Sequence, residues 1–261
     1  MLIELLENQS YAVREVSQGR YMKGLVPLLG GQYTLDILRD EYMVRLFSHA
    51  QIRKGRAYTL QQLAQIALPD DAMPRFIEQI AQLTQREAFI RGYRLQCPTC
   101  DIDTWYSLDD IAENVVCLGC RIPFQLPLEL DFAFRPNRLL MEASKSGALT
   151  VLLTLYHWLQ DSPITLWLAG LEVSKNGQTT DIDLLAQRED GLFMAECKDN
   201  FNVDDLEALQ AQLQVGKSIA DAIGASYAFA TLTEEEIPAT LHDFCETNNI
   251  EILPRALLLR Y

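Results

Sequence analysis

No stretch of about 18 uninterrupted apolar residues occurs along the 261 residues, so no membrane-spanning helix is expected. The N-terminal run Met1-Leu-Ile-Glu-Leu-Leu-Glu-Asn8 lacks the basic flank and cleavage site of a secretory signal, and the protein reads as cytoplasmic. Because Met1 leads almost at once into helix-like sequence, the chain could equally be a piece of a larger protein. Histidine is scarce. His49, His157 and His242 fall among predicted helices without partner spacing, which leaves a histidine triad or histidine metal site unsupported. A complete phosphate-binding loop is also missing: Val215-Gly-Lys-Ser218 has the end of one, but position 211 is alanine where the first glycine belongs, and the segment lies inside a predicted helix. Positive charge is the other shortage. With 22 basic against 36 acidic residues the net charge is −14, which opposes nucleic-acid binding by the chain as a whole. The deficit is uneven: residues 1–95 hold 12 basic and 10 acidic side chains, residues 96–261 hold 10 and 26, so any grip on DNA is expected in the N-terminal half.

Core material is present in quantity. A hydrophobic content of 49% suffices for one large domain or two to three small ones and argues against disorder. Leu35, Leu38, Tyr42, Leu46 and Phe47 recur at three- and four-residue steps and predict a helix over 33–52, after a helix stop at Gly30-Gly31. A second helix is expected over 60–68 with Thr59 as its N-cap, and a third over 72–84 with Pro74 in the first turn, where a missing N–H costs nothing. Residues 88–95 read as a strand. This order suggests a winged-helix-like module in a helical domain spanning 1–96, with a generic helical bundle as the alternative. Residues 123–138 contain Pro123, Pro127 and Pro136 and read as an extended linker, since each proline biases its predecessor away from helix. The domain expected over 139–261 opens with a helix at 139–159. Strands follow at 164–173, 180–187, 192–198, 226–231 and 251–253, with helices at 203–223 and 235–247: an α/β core around one sheet.

Between these parts, at 97–122, the cysteines cluster. Cys97-Pro-Thr-Cys100 and Cys117-Leu-Gly-Cys120 are two CxxC pairs, and a two-residue spacer turns the backbone so that both sulfurs of a pair aim at one point. Two such pairs make a closed four-thiolate site, expected to hold structural Zn²⁺ in a zinc ribbon. An iron–sulfur cluster and a redox dithiol fit less well, the latter because it needs only one pair. Trp105 and Tyr106, in the loop between the pairs, could stack on bases or could cover a domain too small to bury its own core.

The runs Thr180-Asp-Ile-Asp-Leu-Leu-Ala186 and Leu192-Phe-Met-Ala-Glu-Cys-Lys198 are short, alternating, and joined by Glu189-Asp-Gly191, which predicts a β-hairpin. Side chains alternate along a strand, so Glu196 and Lys198 share one face, where Asp183 can meet them, while Ala195 and Cys197 take the other. Two carboxylates and an ammonium are what phosphodiester hydrolysis needs: oxygens to hold Mg²⁺ or Mn²⁺, and a cation to offset charge in the transition state. The bland alternative is a solvent-facing hairpin with a weak ion pair. Ile182, Leu184, Leu185, Phe193, Met194 and Ala195 count against it, because they make the strands look buried on both faces.

Asp followed by Glu-x-Lys on the next strand, within a helix–strand–strand–strand–helix–strand frame over about 139–254, resembles the PD-(D/E)xK nuclease superfamily. The resemblance implies a restriction-endonuclease-like mixed sheet flanked by helices, here preceded by the winged-helix-like module and the ribbon. It implies Asp183, Glu196 and Lys198 as the catalytic set, with Asp183, Glu196 and the Cys197 backbone carbonyl as ligands of a catalytic Mg²⁺ or Mn²⁺. Ile182 stands where the family has proline. Asp181, Glu142, Gln214 and Lys217 are auxiliary candidates: Asp181 shares the face of Asp183, Glu142 lies on the helix before the sheet, and Gln214 and Lys217 recur along one face of the following helix. The activity so implied is DNA endonuclease, in prokaryotic defence or DNA processing by analogy, with DNA as partner and a larger complex or a homodimer as further candidates. The rival is a non-catalytic module of the same fold that docks nucleic acid or a complex. A zinc-ribbon transcription-associated factor is a third reading.

Overall fold

The computed structural model describes residues 1–260; Tyr261, the end of the expected 139–261 domain, lies outside the described residues. Its strands in chain order are β1 (Ala12–Glu15), β2 (Tyr58–Thr59), β3 (Phe89–Gln96), β4 (Asp103–Ser107), β5 (Asn114–Val116), β6 (Pro123–Gln125), β7 (Phe132–Pro136), β8 (Ile164–Lys175), β9 (Gln178–Arg188), β10 (Gly191–Lys198), β11 (Ala225–Thr231) and β12 (Glu251–Leu253). The chain divides into two compact units, and the division departs from the expected 1–96 domain: Met1–Asp40 joins the chain from Ala143 onward, and Glu41–Glu142 stands as the other unit. The first 40 residues belong with the C-terminal sheet because β1 pairs antiparallel with β8, Ala12 opposite Ser174 through Glu15 opposite Leu171. Helix Ser17–Leu28 also lies on β8, backbone close to backbone. At this contact a Cβ on Gly19 would sit 2.0 Å from the Ala169 carbonyl oxygen, and Gly170 adopts φ +57°. Such long-range pairing leaves no local signature in a helical-looking N-terminus.

In this first unit the described residues form a mixed six-stranded sheet, β1-β8-β9-β10-β11-β12, antiparallel as far as β10 and parallel from β10 to β12. The fold is α/β, with helices flanking the sheet. Helix Ala148–Asp161 is buried around its whole circumference, from Leu149 and Val151 to Leu153 and Leu155, as expected of a helix covered on every side. It packs on β8 to β11 and against the 3₁₀ segment Gln32–Leu38. Helix Leu206–Ile223 carries a single buried stripe, Leu209, Leu213, Gly216, Ile219 and Ala220, which packs with Met194, Tyr227 and Phe229 of the sheet. Gly216 sits so close to β11 that an added Cβ would lie 1.9 Å from Tyr227 Oη. Gly216→Ala is therefore expected to destabilise the unit by about 1–3 kcal/mol through overpacking, read as a lower denaturation midpoint at unchanged slope.

The second unit holds helices Glu41–Ser48, Leu60–Ala67 and Met73–Gln85, a four-stranded sheet β2-β7-β3-β4 and the hairpin β5-β6. Thr59 caps its helix as expected and forms a full capping box with Gln62. Pro74 sits in the first turn of Met73–Gln85. The linker expected over 123–138 is instead paired structure: β6 pairs with β5, and β7 lies between β2 and β3. Its prolines are placed where a strand tolerates them, Pro123 as the first residue of β6 and Pro136 as the last of β7. The helix expected over 33–52 is three pieces, Gln32–Leu38, Glu41–Ser48 and Ala50–Arg53. The one expected over 139–159 breaks in two where Gly147 takes φ +70°. Among the described residues no helix is long and apolar enough to cross a membrane.

Candidate active site and cysteine centre

β9 and β10 form the expected hairpin, turning at Glu189-Asp190 with Gly191 opposite Arg188, and the register runs to Ala195 opposite Leu184. The next step of that register brings Glu196 beside Asp183 on one face. Here the Asp183 side chain takes up a strand amide: the Cys197 N–H donates to Asp183 Oδ2 at 2.8 Å. Lys198 Nζ lies 2.5 Å from Glu196 Oε1, and Gln212 Nε2 of helix Leu206–Ile223 donates to the same oxygen at 2.7 Å. The two carboxylates lie near enough for each to act on the ionisation of the other. The three residues singled out in the sequence thus converge.

Burial decides between a site and a surface ion pair. Glu196 is only 3% exposed, whereas exposed pairs contribute about 0–1 kcal/mol and need no burial. Burial, and then the Asp183 charge, push the Glu196 carboxyl up to about 8. Burial also raises Asp183, against the Cys197 N–H and the Lys198 charge, which pull it down. For Lys198 burial opposes the charged form, but the Glu196 and Asp183 carboxylates outweigh it and hold the ammonium above its ordinary value. Two neighbouring desolvated carboxylates beside the Lys198 ammonium form a nest short of positive charge, and its oxygen donors suit a hard divalent cation.

The auxiliary candidates fare differently. Asp181 is exposed, opposite Glu172 on β8, and acts on Asp183 as a neighbouring charge. Gln214 is exposed, its carbonyl accepting from Ser218 Oγ, and Lys217 is paired with Asp221 on its own helix. Glu142 lies on helix Arg138–Lys145, at the end of the second unit. Gln212 is the residue missed. It stands three residues after Leu209 and four before Gly216, on the flank of the buried stripe, and that polar intrusion was its signal. On the opposite sheet face Cys197 points to Thr154, as alternation requires. A groove of about 780 Å³ opens beside Gln212, lined by Tyr11, Lys175, Thr179, Asp181 and Ser218 among others.

The four cysteines meet in the second unit. Their sulfurs all lie within 4.8 Å of one another, the one set of three or more such donors among the described residues. Both knuckles use the same backbone device. The Cys97 N–H donates to Ile102 O at 3.0 Å and the Asp101 N–H to Cys97 O at 2.9 Å; the Cys117 N–H donates to Ile122 O at 3.1 Å and the Arg121 N–H to Cys117 O at 3.0 Å. Asp101 and Arg121 carry matching positive φ of 61° and 64°. Cys97 and Cys120 sulfurs lie 3.7 Å apart, Cys100 and Cys117 sulfurs 3.6 Å. Sulfurs each about 2.3 Å from a central zinc would be about 3.8 Å apart at the corners of a tetrahedron. The cluster could therefore hold zinc. Burial raises the Cys97 thiol, yet the Cys100 and Thr99 amides and its thiol neighbours bring it down to about 6. For Cys120 the Ile122 amide pulls down, but burial and the other three thiols push it up to about 12.

Tyr106 and Trp105 are used structurally. The Tyr106 hydroxyl donates to Val116 O and accepts from the Leu118 N–H. Trp105 crosses over Gly92, with Nε1 donating to Ala133 O at 3.2 Å and the Arg135 guanidinium 4.3 Å from its ring.

No protein-family model matches the chain, and no curated protein does. Among solved structures it is similar to protein VC1899 from Vibrio cholerae, with 11% identity and a TM-score of 0.47 over 95% of this chain and 56% of that one. It is also similar to Can2 from Sulfobacillus thermosulfidooxidans, solved in complex with cyclic tetra-adenylate, with 12% identity and a TM-score of 0.43 over 97% of this chain and 58% of that one. The chain thus spans just over half the length of either. Likenesses of this size carry no argument about activity.

Proposed function

We propose that the chain is a metal-dependent nuclease of the PD-(D/E)xK kind that hydrolyses phosphodiester bonds in DNA. The observation that carries this reading is the convergence of Asp183 and Lys198 on the buried Glu196 at the end of one hairpin. Asp183 and Glu196, with the Cys197 carbonyl, would hold a Mg²⁺ or Mn²⁺ ion. When bound, that ion supplies Lewis acidity to the phosphoryl oxygen and to the attacking water. Lys198 stands beside the acids to steady charge that builds on the phosphate and to orient the water. Gln212 holds Glu196 Oε1 in place. The groove lined by Gln212 and Asp181 would carry the substrate strand alongside the site.

In the second unit, we read Glu41–Gln96 with β7 as winged-helix-like and the cysteine hairpins as a zinc ribbon with structural Zn²⁺. Residues 41–96 hold eight basic against five acidic side chains, whereas residues 97–131 hold one against seven. Phosphates would accordingly be met by the helical part, not by the ribbon. The rival reading, docking without catalysis, draws on one observation: Lys198 is paired within the site, to Glu196.

The test is incubation of linear, circular and single-stranded DNA with the protein and Mn²⁺, against Glu196→Gln. Wild type should cleave at least one form, and the variant should be slower by about 10²–10³-fold. No cleavage of any form by the wild type would favour docking.

A further inference from the structure

Thr150 and Thr154 are fully buried, one turn apart, on helix Ala148–Asp161, in a run whose other buried members are apolar. A buried hydroxyl is costly unless it is hydrogen-bonded, and both are. Thr150 Oγ1 donates to Asp199 Oδ1 at 2.7 Å. Thr154 Oγ1 donates to Thr150 O at 2.8 Å and receives the Cys197 thiol at 3.8 Å. Residues 197 and 199 flank Lys198. Strand alternation turns them towards this helix and turns Glu196 and Lys198 to the opposite face, towards Gln212 and Asp183. β10 ends at Lys198, so Asp199 is the first residue beyond the strand, and Thr150 ties it down.

We propose that Thr150 and Thr154 are positioning residues that clamp the end of β10 from behind, so that Glu196 and Lys198 stay in register with Asp183. The catalytic consequence rests on the nuclease reading; the clamp itself does not. The two threonines never touch the reacting face. They act through Cys197 and Asp199, the residues on either side of the lysine. A misplacement of about 1 Å at a reacting group can cost about 10²-fold in rate, and a strand end freed from one of its two faces can shift by that much.

Thr150→Val keeps the shape and removes the hydroxyl, and the half-buried Asp199 it leaves can take water instead, so the fold should survive. Thr150→Ser keeps the hydroxyl. The experiment measures kcat and KM for Mn²⁺-dependent cleavage and, separately, amide exchange at Lys198 and Asp199 by NMR. Thr150→Val should lower kcat by about 10-fold or more with KM within about twofold, and should speed exchange at both amides. Thr150→Ser should restore both. Wild-type exchange and turnover in Thr150→Val would overturn the clamp, as would a serine variant as impaired as the valine one. Should the wild type itself fail to cleave DNA, the nuclease reading falls, and exchange in Thr150→Val still decides the clamp: faster supports it, unchanged overturns it.

Discussion

Lys198→Ala is expected to lower Mn²⁺-dependent DNA cleavage by about 10²–10³-fold while the melting temperature barely moves. The two halves of this expectation have different causes. Lys198 pairs with the buried Glu196, so in the proposed nuclease its loss would remove the positive charge that offsets the developing phosphate charge. Removing one partner of a buried pair normally costs about 3–5 kcal/mol, because a charge is stranded. Glu196 escapes that penalty: its carboxyl already sits at about 8, so near neutral pH it takes up a proton instead of remaining an unpaired anion. Lys198 is itself 31% exposed, so truncation leaves a gap that water can fill. Cleavage rates of wild type and variant, alongside thermal melts, check both halves. Equal residual cleavage in the two proteins would remove Lys198 from the active site.

Cys117→Ser should release one zinc ion per chain and unfold the module between Cys97 and Asp131. The core there is small: Leu95, Tyr106, Val115 and Phe124, completed by Cys97 and Cys117 themselves. So small a core rarely holds a fold by apolar burial alone, and a structural zinc ion would add about 10–16 kcal/mol of folding free energy. Divalent-ion binding at Asp183 and Glu196 should persist, since those residues belong to the other compact unit. Metal content and the near-ultraviolet signal of Trp105 and Tyr106 report the outcome. A variant that keeps both its fold and its tyrosine signal without metal would show that the module needs no ion.

The acid–lysine site was legible because everything that makes it is local. Two alternating runs, an acidic glycine turn and a period of two place Glu196 and Lys198 on one face and Asp183 across from them. The cysteine knuckles were legible for the same reason, each within six residues. What was not legible depends on partners distant in sequence. β7 looked like a linker because its prolines break helix locally, whereas its pairing partners in β3 and β2 lie about 40 to 75 residues back along the chain. β1 was hidden in a helical stretch because its partner β8 comes about 160 residues later. The helix after β10 was expected to offer Gln214 and Lys217, but Gln214 is exposed, Lys217 pairs with Asp221 on its own helix, and Gln212 is the residue brought to Glu196. Thr150 and Thr154 had a sequence signal, two hydroxyls one turn apart in an apolar helix, whose meaning emerges only once Cys197 and Asp199 are seen behind the strand.

The most direct measurement is Mn²⁺ titration followed by electron paramagnetic resonance, on protein whose cysteines are already filled with zinc, for wild type, Asp183→Asn and Glu196→Gln. The account predicts at least one Mn²⁺ site in the wild type that weakens by an order of magnitude or more in each variant, about 1.4 kcal/mol or above. A wild type that binds no Mn²⁺, or variants that bind it as well as the wild type does, would contradict it.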